Sequence, residues 1–107
     1  MDTTSLPIAC SLTSAELQDR RATVLQKVRR AVVEVKELEN GYAYSFPATG
    51  DLLGQLAGLI DLERQCCPFL QFRLTIEAAG GPLWLEMTGP AGTKDFLTST
   101  FNSVSSP

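Results

Sequence analysis

The chain contains no histidine. That excludes Cys–His catalysis within one chain and removes the commonest neutral metal ligand. Charge of one sign is also scarce. Nine Lys and Arg stand against twelve Asp and Glu, for a net charge of −3. The bases are mixed with acids, apart from the short pairs Arg20-Arg21 and Arg29-Arg30. A general nucleic-acid surface needs a basic field, so no nucleic-acid partner is expected. No apolar run approaches the roughly 20 residues of a membrane span. The opening Met1-Asp2-Thr3-Thr4-Ser5-Leu6-Pro7 lacks the basic and apolar regions of a signal peptide. A cytoplasmic protein without a membrane partner is expected. No glycine-rich phosphate loop, HExxH helix or serine nucleophile elbow occurs. Cysteines number three, and two of them are adjacent. An odd count with a vicinal pair is a poor framework for structural disulfides, so reduced thiols are expected.

What is present reads as one domain over residues 1–107, with 1–12 as a lead-in and 105–107 as a frayed tail. Hydrophobic residues make up 44% and charged residues 20%, as in ordinary soluble domains. A first helix is expected from about Thr13. Thr13 and Glu16 have capping-box spacing, with Leu12 and Leu17 at the staple positions. Leu17, Val24, Val28 and Ala31 then recur at helical spacing, with Leu25 and Val32 beside them. Arg29 and Arg30 near its end complement the helix dipole.

The period changes to two at Val33, Val35, Tyr42, Tyr44 and Phe46. Asn40-Gly41 between them is the preferred type I′ pair, because both positions need positive φ. That turn would set Glu39 opposite Tyr42, Glu37 opposite Tyr44 and Val35 opposite Phe46. Pro47 to Asp51 breaks the hairpin. Leu52, Leu53, Leu56, Leu59, Ile60 and Cys67 then cover a second helix, which Pro68 ends at about Cys66. Leu70, Phe72, Leu74 and Ile76 alternate with polar residues. So do Leu83, Leu85 and Met87, across the turn Ala78 to Pro82. Pro90 suits a first helical position. Phe96, Leu97, Thr100, Phe101 and Val104 mark a last helix.

The expected fold class is α+β, in the order α-ββ-α-ββ-α. Two hairpins make a four-stranded antiparallel sheet with helices on one face, a two-layer sandwich of ferredoxin-like layering. Pro7 to Cys10 either adds an edge strand or leads into the first helix.

The residues able to carry chemistry gather at Glu63-Arg64-Gln65-Cys66-Cys67-Pro68-Phe69. A bond between Cys66 and Cys67 is disfavoured. Adjacent Cα atoms lie about 3.8 Å apart, under the usual disulfide range of about 4.4–6.8 Å. Three uses stay open. The thiols can be small buried hydrophobes. They can bind a soft or borderline metal such as zinc, copper or mercury. Cys66 and Cys67 would then be ligands, Cys10 a third sulfur, and Glu63, one turn back, an oxygen ligand or proton acceptor. Or they can do redox or nucleophilic chemistry. That needs a lowered thiol pKa, which a helix C-terminus opposes and which Arg64 or Arg73 would have to restore. No catalytic residue is assigned. Glu63 falls on the apolar side of its helix, so an ion pair to Arg73 or to an arginine of the first helix is expected. Trp84 points away from Leu83, Leu85 and Met87, beside Phe69. An apolar patch there suits a homodimer joined through the outer sheet face.

The run Leu62-Glu63-Arg64-Gln65-Cys66-Cys67-Pro68-Phe69-Leu70-Gln71-Phe72 resembles an ERxCCPF-like signature of small uncharacterised bacterial proteins. Ala9-Cys10-Ser11-Leu12 and the stretch Trp84 to Pro90 are similar to parts of the same group. The resemblance covers most of the chain and implies no activity. It does tie Cys10, Glu63, Cys66 and Cys67 together. Two functions follow as expectations: a soft-metal-binding thiol protein, or an oligomerising ligand- or protein-binding module whose cysteines are packing.

Overall fold

A computed structural model of the chain describes residues 15–100. The helix start at Thr13, the staple residue Leu12, the segment Pro7 to Cys10, Phe101, Val104 and the tail lie outside the described residues.

The order is α1 (Ala15–Arg30), β1 (Glu34–Leu38), β2 (Gly41–Phe46), α2 (Leu52–Cys66), β3 (Gln71–Ile76), β4 (Leu83–Thr88) and α3 (Thr93–Thr100). This is the expected α-ββ-α-ββ-α fold with a four-stranded antiparallel sheet, in the strand order β1-β2-β4-β3. β4 pairs antiparallel with both β2 and β3. β2 and β3 therefore run parallel with β4 between them, and β2–α2–β3 is a split β–α–β unit. The architecture is described by this order, and no ferredoxin-like class is assigned.

Pleat parity selects the core face. Val35, Tyr44, Leu85 and Leu74 lie in one cross-strand row, and Tyr42, Met87 and Phe72 in the next. Tyr44, Phe46, Leu83, Leu85 and Met87 from this face join Leu25 and Val28 of α1, Leu52, Leu56 and Leu59 of α2 and Leu97 of α3 in one core. All three helices thus cover the same side. On α2, Leu62 is buried, whereas the expected core residue Leu53 is exposed. α3 is tied to the sheet by a Lys94–Glu37 ion pair, with Lys94 Nζ 5.7 Å from the Tyr42 ring centre. Arg29 Nη1 donates to the Thr100 carbonyl at 2.6 Å, joining α1 to the last turn of α3.

Two turns differ from expectation. The first hairpin closes at Leu38 opposite Gly41, so its loop is Glu39-Asn40. Glu37 faces Tyr42 and Val35 faces Tyr44, a slip of two residues from the expected pairing. A two-residue slip keeps parity, so every side chain stays on its face. Neither Asn40 nor Gly41 has positive φ, so the loop is not type I′. Gly41 answers a different need. A Cβ there would stand 1.9 Å from the Met87 carbonyl oxygen of β4. The double positive φ appears in the second hairpin instead, at Ala79 (φ 57°) and Gly80 (φ 72°). Gly81 N–H donates to the Ala78 carbonyl across that turn at 3.1 Å. α3 starts at Thr93 and not at Pro90, because Pro90-Ala91-Gly92 form a preceding turn closed by Thr93 N–H on the Pro90 carbonyl at 3.0 Å.

On the outer face, Trp84 is half-buried, with Lys36 Nζ 4.7 Å from its ring centre. Phe69 is not beside it. Phe69 is buried and meets Phe96 edge-on at 5.2 Å.

These contacts separate two glycines. Gly41→Ala is expected to destabilise by about 2–3 kcal/mol, because neither backbone can retreat. Gly54→Ala, where a Cβ has nothing within 4 Å, is expected to stabilise by about 0.5–1 kcal/mol. Urea unfolding of both variants checks the pair, and equal effects would contradict the assignment of Gly41 to close strand packing.

Candidate functional site

α1 and α2 pack as neighbours, and one buried polar cluster lies where they meet. Arg21 occupies the stripe of α1 that continues through Val24, Leu25 and Val28. Glu63 occupies the buried stripe of α2 with Leu56, Leu59 and Leu62, and is only 3% exposed. A carboxylate so placed must be paired. Arg21 supplies the partner through two bonds. Nε donates to Glu63 Oε2, and Nη2 donates to Oε1 at 3.1 Å. Burial pulls the Arg21 guanidinium down, and the hydrogen bond and charge of Glu63 more than offset it, leaving it raised.

One helical turn on, α2 stops. Its last residue is Cys66, and Cys67 leaves the helix at φ −125° and ψ 75°. The Cys67 N–H still donates to the Glu63 carbonyl at 2.6 Å. This fixes the thiol over the carboxylate. Cys67 Sγ is 3.7 Å from Glu63 Oε1 and 3.6 Å from Cys66 Sγ. Both cysteines are fully buried and belong to the core with Phe69 and Leu70. Burial pushes the Cys67 thiol up, the Glu63 charge adds to this, and Arg21 opposes it. The result is about 12.

Cys67 is a free cysteine and Cys66 is disulfide-bonded. This corrects the expectation of reduced thiols throughout. Among the described residues, Cys67 is the free cysteine. The two neighbours are not bonded to each other, since 3.6 Å far exceeds an S–S bond of about 2.05 Å.

Of the expected site residues, Glu63, Cys66 and Cys67 converge, and Cys10 lies outside the described residues. Among the described residues, no three His, Cys, Asp or Glu side chains form a group able to hold a metal ion. Arg73 is not the partner of Glu63. It stands on the outer sheet face, opposite Glu86. Arg64 bonds Asp61 on the exposed side of α2. Neither reaches the cluster as a supporting cation. The particular arginine that does, Arg21, carried one signal in the sequence: its phase places a cation on the apolar stripe of α1.

In comparisons with protein-family models, curated proteins and solved structures, nothing matched this chain.

Two outcomes follow. Arg21→Leu leaves Glu63 buried without its cation and is expected to cost roughly 2–4 kcal/mol, while Arg21→Leu with Glu63→Leu regains most of that. Denaturant unfolding of the three chains measures it, and a double variant as unstable as the single would contradict it. The second outcome concerns alkali. Cys67 keeps its proton to higher pH in the folded state than in the unfolded one. The folded state then binds more protons, so stability falls as pH rises through the ordinary thiol range toward about 12. The slope is about 1.4 kcal/mol per pH unit for one such group. Cys67→Ala is expected to flatten this alkaline loss in unfolding curves recorded between neutral pH and high pH.

Proposed function

We propose that, once Cys66 is reduced, this protein binds a soft metal ion through Cys66 and Cys67, with Cys10 as a third sulfur and Glu63 as an accessory group. The supporting observation is the 3.6 Å between the two sulfurs. Two thiolates about 2.3 Å from a tetrahedral ion stand about 3.8 Å apart, so this spacing needs little adjustment. A second support is the carboxylate oxygen 3.7 Å from Cys67, a proton acceptor beside a thiol that must lose its proton on binding. Zinc, copper and mercury are the ions such sulfurs favour. In the oxidised state Cys66 is committed to its disulfide, so binding belongs to the reduced form. A reducing cytoplasm keeps thiols in that form, and we place the protein there. No catalytic step is assigned.

The second reading rests on the complete burial of both cysteines in the core. On it the protein is an oligomerising ligand- or protein-binding module, a homodimer through the outer sheet face near Trp84, with the cysteines as packing.

Native mass spectra of the reduced protein with zinc, and separately with mercury, separate the two readings. The metal reading expects one ion per chain, lost in the Cys66→Ser, Cys67→Ser double variant. Equal uptake by the variant, or no uptake with a dimer mass, would move the weight to the module.

A further inference from the structure

The sheet has two edges, β1 and β3, and they differ. β1 carries Glu34, Lys36 and Glu37 within its short run, the charged kind of edge that keeps other chains away. β3 reads Gln71-Phe72-Arg73-Leu74-Thr75-Ile76, with a single charge, no proline and no glycine. Its apolar face is incompletely covered. Phe72 and Leu74 are half-buried against the core, and Ile76 is 58% exposed.

The hydrogen-bond phase of β3 follows from its hairpin. Glu77 N–H donates to the Pro82 carbonyl at 3.2 Å, so Glu77 turns its backbone toward β4. Backbone groups in a strand alternate in direction, so Thr75, Arg73 and Gln71 turn the same way. Phe72, Leu74 and Ile76 then present their N–H and C=O groups at the outer edge. Among the described residues, no strand pairs with that edge. The residues whose backbone groups point outward are the same ones whose apolar side chains are incompletely covered.

A second copy of this chain fits that edge in one register. Two β3 strands related by a two-fold axis perpendicular to the sheet run antiparallel and keep their apolar faces on one side. With the axis at Leu74, Leu74 opposes itself and Phe72 opposes Ile76 of the second copy. Each of these pairs exchanges two hydrogen bonds, which uses every outward group of Phe72, Leu74 and Ile76. Arg73 opposes Thr75 and Gln71 opposes Glu77, so no like charges meet. An axis at Arg73 would set two guanidiniums opposite each other. An axis at Thr75 would leave Phe72 opposite Ala78, beyond the end of the strand.

We infer that two copies of this protein join β3 to β3 about Leu74, making one continuous sheet with the helices of both copies on the same side. This goes beyond the soft-ion reading, and it uses the sheet edge where the module reading uses the outer sheet face.

The test follows the full chain by sedimentation equilibrium over a wide concentration range, in reducing buffer that excludes disulfide-linked pairs. A reversible dimer is expected. Thr75 is exposed, so replacing it leaves the core alone. Thr75→Lys brings a second cation opposite Arg73, twice by symmetry, and should weaken the dimer several-fold or more. Thr75→Glu should tighten it by a similar factor, and adding Arg73→Glu to Thr75→Lys should restore it. Circular dichroism melts accompany every variant. Amide exchange at Phe72, Leu74 and Ile76 should slow as concentration rises. A monomer at every concentration overturns the inference. So does a dimer indifferent to the charge at position 75; if that dimer weakens on Trp84→Glu, the module reading stands. Slow exchange at the three amides in a monomer also overturns it, since a segment of the same chain then occupies the edge. None of these outcomes bears on soft-ion uptake.

Discussion

Putting the Glu63 carboxylate into the core is the costly act on which this arrangement depends. A carboxylate 3% exposed must find a cation or give up its charge. Arg21 answers that need, and in doing so it ties α1 to α2 at one spot. The same carboxylate then faces the first sulfur beyond the end of α2. Helix pairing, the helix end and the thiol environment are therefore one problem with one solution. Replacing the ion pair with hydrocarbon would still permit packing. It would not leave a polar group beside Cys67.

The end of α2 matters as much as the pair. Pro68 prevents the helix from continuing, so Cys67 drops out of helical geometry while keeping its N–H on the Glu63 carbonyl. Two adjacent residues in a continuing helix would point about 100° apart. Leaving the helix brings both sulfurs to the same side, 3.6 Å from each other. The two sulfurs of the vicinal pair meet because the chain turns between its members.

Much of the fold was legible from period alone. Alternation in Tyr42, Tyr44 and Phe46, and again in Leu83, Leu85 and Met87, marks the core face, and the structure buries that face. The pairing of β1 with β2 was misread by two residues, because Asn40-Gly41 looks like a type I′ turn. Gly41 is instead required by the approach of the β4 backbone, a long-range contact that no local pattern encodes. The strand order was not legible for the same reason. At the site, Cys66, Cys67 and Glu63 were legible from their spacing on one helix. The identity of the cation was not, since Arg21 is distant in sequence and Arg73 was an equal candidate until the register set it on the outer face. The oxidised state of Cys66 was misjudged because an odd cysteine count forbids full pairing and not a single bond.

The central claim is that these sulfurs form a binding site whose availability is set by the redox state of Cys66. Equilibrium dialysis of oxidised and reduced protein against the same soft ion tests it most directly. The account predicts one ion per chain in the reduced protein and none in the oxidised one, with uptake restored when a dithiol is added to the oxidised sample. Equal uptake by both forms, or none by either, would contradict it.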